Sequence, residues 1–358
     1  MRGWRSVFDG TYACADSAPF LHVRRNVQLM TSAADARWQQ ADSTPRSSGD
    51  LSAGCVYHQP WWLDAVTEGR WSSVTTPQRA GFVALLPLFR PSGPLAQRII
   101  TNPPLTRTLG PVFTRIAGNE VFTEAIARQL TADLIAQLPP ALSFSQVFAP
   151  ESRGLFSFAQ AGFRVRLEYT YWIDASAWPD EESQVWQRVH PKTRRQLRRA
   201  ADRYQIDGAI GVDEFVKFYA DTKRADGNAL VPAAHIIRTL VAAAVARSSG
   251  KLLGCRARDG SLAGAVFVAY DRSTAHLVMT ARDPAVADSG AVGLLVWDAL
   301  TWARECGRSF DFDGCTHFVS QFGGEPLMRW RVSRLRTLDR ALRLASYLSG
   351  RASSDAGL

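Results

Sequence analysis

The sequence predicts an α+β chain made of two mixed-layer halves, each a sheet flanked by helices. Three observations carry this. Residues 250–283 read as three strands, "GKLLGCRARDG", "LAGAVFVAYD" and "TAHLVMTARD", which the turns "DG" at 259–260 and "DRS" at 271–273 join as an antiparallel meander. A helix from Ser289 to Cys306, stopped by Gly307, then leads to the strand-like "SFDFDG". The first half shows a shorter version of the same element order.

Taken in order, residues 1–50 are poor in apolar periodicity and read as a loose extension, and Met30 offers an alternative start that would make residues 1–29 an upstream artefact. "YHQPWWLDAV" opens a short helix with Pro60 in its first turn, and "AGFVALLPLFR" is a buried strand ending before Pro91. Asn119 is the cap candidate for a helix marked by Phe122, Ile126, Leu130, Leu134 and Leu138. "SFSQVFA" and "GFRVRLEYTYWID" are strands, the second with Val165, Leu167, Tyr169 and Tyr171 on one face. Glu181 to Tyr204 is a helix interrupted near Pro191, and two more helices precede the meander. "MRWRVSRL" is the last strand. The domain boundaries expected are 51–170 and 171–340, with a loose tail over 341–358.

An apolar fraction of 46% and a charged fraction of 21% are those of a globular chain, and a formal charge of +9 favours anionic partners such as phosphates, RNA or acidic lipid. Five scattered cysteines without C-x-x-C spacing exclude a zinc ribbon and read as reduced thiols. The N-terminus lacks a continuous apolar core for secretion, and no apolar run reaches the roughly 18 residues of a membrane span, so a cytoplasmic location is expected. The P-loop, the dinucleotide fingerprint, G-x-S-x-G and H-E-x-x-H are all missing, which removes support for those enzyme classes.

"SFDFDGC" poses the central question: why two carboxylates, Asp311 and Asp313, on a core strand? Two residues apart on one strand face they would sit about 6–7 Å from each other. Each would raise the other's proton affinity, as a base for an amine acceptor requires. Asp313, at the strand end beside Gly314, is the better candidate. The structural alternative pairs them with Arg304, Arg308, Arg329, Arg331 or Arg334. Upstream, "ADSGAVG" opens a helix with Asp288 or Ser289 as cap, and Ser289, Gly290, Ala291 and Gly293 form a small-residue entry where free N–H groups attract an anion.

"HPKTRRQLRRA" places Lys192, Arg195 and Arg199 on one helical face, able to grip phosphates or simply to be solvated. Trp61 and Trp62 of "QPWWLD" could wall an acceptor groove or split between core and rim. His58 and His317 lie nearest these features, and neither has metal-ligand spacing.

"YHQPWWLDAV", "PPLTRTLGPVF", "YTYWID", "HPKTRRQLRRA", "SGAVGLLVWDALTWARECG", "FDFDG" and "FVSQFGG" follow one another over roughly residues 56–335. In that order they resemble the GNAT acyltransferase superfamily, and within it the FemAB peptidoglycan-bridge aminoacyl transferases and BioF2-like acetyltransferase domains. Val319 stands where FemAB proteins often carry lysine after the phenylalanine, and "VADSGAVG" departs from the superfamily's coenzyme A loop. The resemblance implies two GNAT-like domains in tandem, the second carrying the donor site. It implies transfer of an acyl or aminoacyl group from acyl-CoA or aminoacyl-tRNA to an amine or hydroxyl of a cell-envelope, polysaccharide or metabolite precursor. No metal and no permanently bound cofactor are implied. Asp313 and Asp311 would be catalytic, with Ser289, Gly290, Ala291 and Gly293 at the donor. Trp61, Trp62, Lys192, Arg195, Arg199, His317, Phe322 and Gly323 would face the acceptor. The alternative is a degenerate GNAT-like binding module whose basic helix, residues 190–203, recruits RNA, a nucleotide-linked precursor or anionic lipid, with peripheral contact to a membrane surface.

Overall fold

The structure, a computed structural model, describes residues 54–92, 98–227, 232–286 and 290–335. The extension and tail predicted at 1–50 and 341–358 lie outside the described residues, as do Asp288 and Ser289. The chain divides into two compact units. One holds Tyr169–Leu327; the other holds the described residues up to Glu168 together with those from Met328.

The unit ending at Glu168 contains α1 (Pro60–Thr67), β1 (Trp71–Thr75), β2 (Phe82–Phe89), β3 (Ile99–Thr101), β4 (Val112–Arg115), α2 (Glu124–Ala136), β5 (Ser143–Phe148) and α3 (Leu155–Gln160). Its strands run β1-β2-β3-β5 and then the last strand, β12 (Glu325–Leu335), with β4 also pairing β2. β2 is buried along its whole length, as its unbroken apolar run requires. The expected cap of α2 shifts: Thr123 rather than Asn119 accepts the Ile126 N–H, because the helix starts one turn later. β12 was expected in the second domain, yet Trp330 to Leu335 pair antiparallel with Phe148 to Ser143 of β5.

The other unit contains the end of β6 (Arg164–Ile173), α4 (Glu182–Arg188), α5 (Pro191–Ala201), β7 (Tyr204–Asp207), α6 (Val212–Ala225), α7 (Ala234–Ala246), β8 (Gly250–Ala257), β9 (Leu262–Tyr270), β10 (Thr274–Arg282), α8 (Ala291–Glu305), β11 (Ser309–Asp311) and α9 (His317–Ser320). Its sheet order is β6-β11-β10-β9-β8-β7. The β8-β9-β10 meander is antiparallel as predicted, and β10 to β11 is parallel across the helical crossover of α8. The helix expected to run to Tyr204 ends at Ala201, and Tyr204 opens strand β7, which pairs with β8 at Tyr204↔Ala257.

One face of this sheet buries Val266, Val268, Ala275, Leu277, Phe310 and Ile173 against α5 and α8, where Leu197, Leu294 and Trp297 complete the core. On β6, Leu167 and Tyr169 are 59% and 46% exposed, whereas Thr170 and Ile173 are buried. The alternating face reaches the core only at its far end, where Tyr171 packs on the cluster that holds Ile173.

Candidate functional site

The site grows from the place where β10 and β11 part. They pair only over Thr274–His276 and Ser309–Asp311. β11 ends there, while β10 runs on to Arg282. Just past the last rung, Leu277 faces Val268 but Met279 faces Phe267, so Val278 is an extra residue, a bulge that bends the strand. The two parallel strands therefore diverge from an apex at His276 and Asp311, and β10 offers main-chain groups that β11 does not take up.

At the apex the alternation rule breaks. Asp311 is the last strand residue, and Asp313 has turned into the left-handed region at φ 51°. Aspartate tolerates that conformation better than most residues. Its N–H donates to Asp311 Oδ1 at 2.9 Å, and the Thr170 hydroxyl donates to the same oxygen at 2.7 Å. The second oxygen, Asp311 Oδ2, lies 3.4 Å from His276 Nδ1, and Asp313 Oδ1 lies 4.0 Å from that same nitrogen. All three side chains are buried, the aspartates at 2% and 7% exposure, so neither carboxylate opens directly to solvent.

Burial pulls the His276 imidazole down. The contact with Asp311 and the charges of Asp313, Asp311 and Asp271 outweigh it and hold the ring above its ordinary range. The ligand atoms of the three residues also lie within 4.8 Å of one another, close enough to hold a cation, a grouping that the sequence spacing did not reveal. His276 is the site residue that sequence reasoning missed. Its signal was present only as a polar residue inside the apolar run of "TAHLVMTARD". Of the five arginines offered as partners, Arg329 is buried, and the other four make contacts elsewhere. Arg304 donates to the Pro179 and Asp180 carbonyls, and Arg308 to the Asp271 carbonyl. Arg331 pairs with Glu168, and Arg334 stacks over Phe163.

Of the predicted donor residues, Gly290, Ala291 and Gly293 form the start of α8, and Ser289 lies outside the described residues. Gly290, at φ 74°, is the N-cap in place of the expected Asp288 or Ser289. The small residues there admit a helix: a Cβ at Gly290 would stand 3.1 Å from Ala200 Cβ and Gln196 Cγ, and one at Gly293 3.0 Å from Leu197 Cδ2. Ala291 is fully buried and packs on Gly264. Close approach was the right inference; its object at these positions is α5.

A cleft of about 710 Å³ opens in the same unit, lined by Trp172, Asp174, Arg188, Gly323, Glu325 and neighbouring apolar residues. Trp172 is the residue facing Asp311 across β6 and β11, so the cleft wall and the apex share a rung. Gly323, at φ 81°, closes tightly on Arg188, whose Cβ would lie 2.6 Å from an added Cβ.

Of the predicted acceptor residues only Gly323 lines this cleft. Phe322 is fully buried, tilted against the Phe312 ring and edge-on to Phe318. His317 is exposed, with its Nε2 2.6 Å from Gln321 Nε2. Lys192, Arg195 and Arg199 are exposed on α5, whose buried side is Thr193, Leu197 and Ala200. Trp61 and Trp62 belong to the other unit. Trp62 is fully buried, donating from Nε1 to Thr106 Oγ1 at 3.0 Å, so it packs a core and walls no groove. Among the described residues no helix is long and apolar enough to cross a membrane.

Residues 188–319 match the family model described as an acetyltransferase (GNAT) domain. That segment is similar to GNAT domains. The fold agrees: the crystal structure of FemX superposes with a TM-score of 0.58 at 12% identity, covering 87% of this chain and 98% of that one. A tandem GNAT protein from the clavulanic acid biosynthesis pathway gives 0.47 at 16% identity, covering 84% and 93%, and L-PGS from Bacillus licheniformis 0.47 at 10%, covering 89% and 96%. No curated protein matches the chain in sequence. The fold is similar to that of FemX, and the segment that matches the GNAT model contains the diverging strands, the start of α8 and the apex.

Proposed function

We propose that the chain transfers an acyl group from a coenzyme A thioester to an amine or hydroxyl acceptor bound in the cleft beside Trp172, Arg188 and Gly323. The observation that carries this reading is that the GNAT segment coincides with the parting of β10 and β11. A strand edge without a neighbour pairs with any extended chain bearing amides, as the pantetheine arm of coenzyme A does. The acceptor nitrogen or oxygen attacks the thioester carbonyl carbon. The new C–N or C–O bond forms as the C–S bond breaks, and the departing thiolate takes up the proton that the acceptor loses. In this reading the buried Asp311 and Asp313 serve the apex and do not touch the acceptor. The cleft presents Arg188 beside Asp174 and Glu325, which suits an acceptor carrying both charges.

The test is a panel of coenzyme A, acyl-CoA thioesters and aminoacyl-tRNA scored by thermal stabilisation. A donor at 100 times its dissociation constant adds about 2.7 kcal/mol to the native state. Saturable stabilisation by coenzyme A and its thioesters is expected; stabilisation by aminoacyl-tRNA alone would replace the donor, and none at all would remove the reading.

A second reading rests on α5, which exposes Lys192, Arg195 and Arg199 along one side. As a binding surface for a phosphate-bearing partner, that side would give salt-sensitive association to RNA or anionic vesicles. Arg195→Ala with Arg199→Ala would weaken it, and binding indifferent to salt would exclude it.

A further inference from the structure

Tight packing sets two walls of the cleft beside Trp172. Gly323 makes room for Arg188, and Gly324 does the same for Trp172: a Cβ there would stand 3.3 Å from the Trp172 main-chain nitrogen and carbonyl oxygen. The His190 N–H donates to the Gln321 carbonyl at 2.8 Å and ties the end of α4 to the segment leading into the two glycines. Glu325 follows them directly as the first residue of β12. A guanidinium, an indole and a carboxylate are thus held around one space of about 710 Å³. Small-molecule sites range over roughly 300–1,000 Å³.

Elsewhere in this unit, arginines that share a surface with carboxylates pair with them. Arg224 meets Asp221, Arg238 meets Asp213, Arg256 meets Asp207 and Glu214, and Arg282 meets Asp226, all at 2.6–3.1 Å. Arg188 and Glu325 line the same cleft, yet among the described residues neither joins an ion pair or a side-chain hydrogen bond. Asp174, the other carboxylate there, is engaged: its Oδ1 accepts from the Ser176 N–H at 2.8 Å and from the Ser176 hydroxyl at 2.6 Å. Two opposite charges that share a cleft without meeting fit a ligand that carries both and spans them. The rest of the lining, Trp172 with Pro326 and Leu327, is apolar.

We propose that the acceptor is an apolar α-amino acid whose carboxylate pairs with Arg188, whose ammonium pairs with Glu325 and whose side chain lies against Trp172, Pro326 and Leu327. The reaction it enters rests on the acyl-CoA reading above; its binding does not. Glu325 is then a catalytic residue. It takes one proton from the ammonium, and the freed amine attacks the thioester carbonyl carbon. The C–N bond forms as the C–S bond breaks, and the departing thiolate takes the second proton. The products are an N-acyl amino acid and the coenzyme A thiol, and the exposed Glu325 returns its proton to water.

Calorimetric titration without a donor tests the binding by itself. The probes are L-leucine, its methyl ester, which lacks the carboxylate, and 4-methylpentanoate, which lacks the amine. L-leucine is expected to bind about tenfold more tightly than either. Arg188→Gln should lower L-leucine affinity to that of the methyl ester and leave the methyl ester unchanged. Glu325→Gln should lower it to that of 4-methylpentanoate and should not weaken 4-methylpentanoate. Arg188→Lys and Glu325→Asp, which keep the charges, should recover part of the loss. With acetyl-CoA as donor, release of the coenzyme A thiol should fall about a hundredfold in kcat for Glu325→Gln. Arg188→Gln should raise KM for L-leucine about tenfold at unchanged kcat.

Equal affinity for L-leucine and its methyl ester, or Arg188→Gln that binds L-leucine as tightly as wild type, overturns the carboxylate assignment. 4-Methylpentanoate that binds as tightly as L-leucine, or an unchanged affinity in Glu325→Gln, overturns the ammonium assignment. Binding of none of the probes overturns the α-amino acid class. The expected binding pattern with coenzyme A also bound, but no thiol released from acetyl-CoA or a longer acyl-CoA, overturns the role of Glu325 as base. The same pattern with no binding of coenzyme A or its thioesters places the failure in the acyl-CoA reading and leaves the amino acid site standing.

Discussion

Replacing Gly323 by alanine tests the cleft at its tightest point. Two penalties coincide there. The backbone is at φ 81°, where an L side chain costs about 1–2 kcal/mol. The new Cβ would also stand 2.6 Å from Arg188 Cβ and 3.0 Å from the Arg188 carbonyl oxygen. The second of these contacts is main chain at the end of α4 and cannot swing aside. Overpacking of this kind costs about 1–3 kcal/mol, so the two together cost about 2–5 kcal/mol. That is a large part of the roughly 5–15 kcal/mol that holds a native domain together. Gly260 supplies the control: its φ is 84°, but nothing lies within 4 Å of its added Cβ. Gly260→Ala should therefore show the backbone penalty alone. Urea unfolding of both variants, followed by tryptophan fluorescence, should shift the Gly323→Ala midpoint further at unchanged slope, with a difference of about 1–3 kcal/mol. Equal losses in the two variants would refute the close packing of Gly323 on Arg188.

Two further outcomes follow from buried polar chemistry. Thr170→Val removes the hydroxyl that donates to Asp311 and accepts the Gly314 N–H at 3.2 Å, so it should destabilise by about 1–3 kcal/mol, measured by denaturant unfolding at pH 6. Cys255 is buried and its thiol is pushed up to about 12, whereas Cys315 is a free, exposed thiol. Iodoacetamide at pH 8 should label Cys315 in the native protein and reach Cys255 only after urea is added; mass spectrometry of the peptides distinguishes the two.

Legibility followed the range of the interactions. The meander over 250–282 was readable because turn chemistry and alternating burial act within a few residues. The same was true of α8, whose small-residue entry and Gly307 stop are local signals. β7 was not readable, since four residues without a strong period become a strand only when β8 pairs with them. The cap of α8 was misread for a related reason: Gly290 takes the left-handed position pressed against Gln196 and Ala200, a contact that no local rule announces. On β6 the period was right but not its extent: Ile173 is buried while Leu167 and Tyr169 on the same face are exposed, because alternation does not say how far along a strand the core reaches.

The amino-acid sequence alone determined that the chain alternates sheet and helix, that a glycine-rich helix entry follows a meander, and that Asp311 and Asp313 stand together. Those are properties of neighbouring residues, set by backbone sterics and side-chain period. Tertiary structure alone decided that His276, 35 positions earlier, faces both carboxylates, and that Gly293 makes room for Leu197. Parallel strands joined through a helix bring distant residues onto one rung, and which rung that is depends on how the helix between them packs.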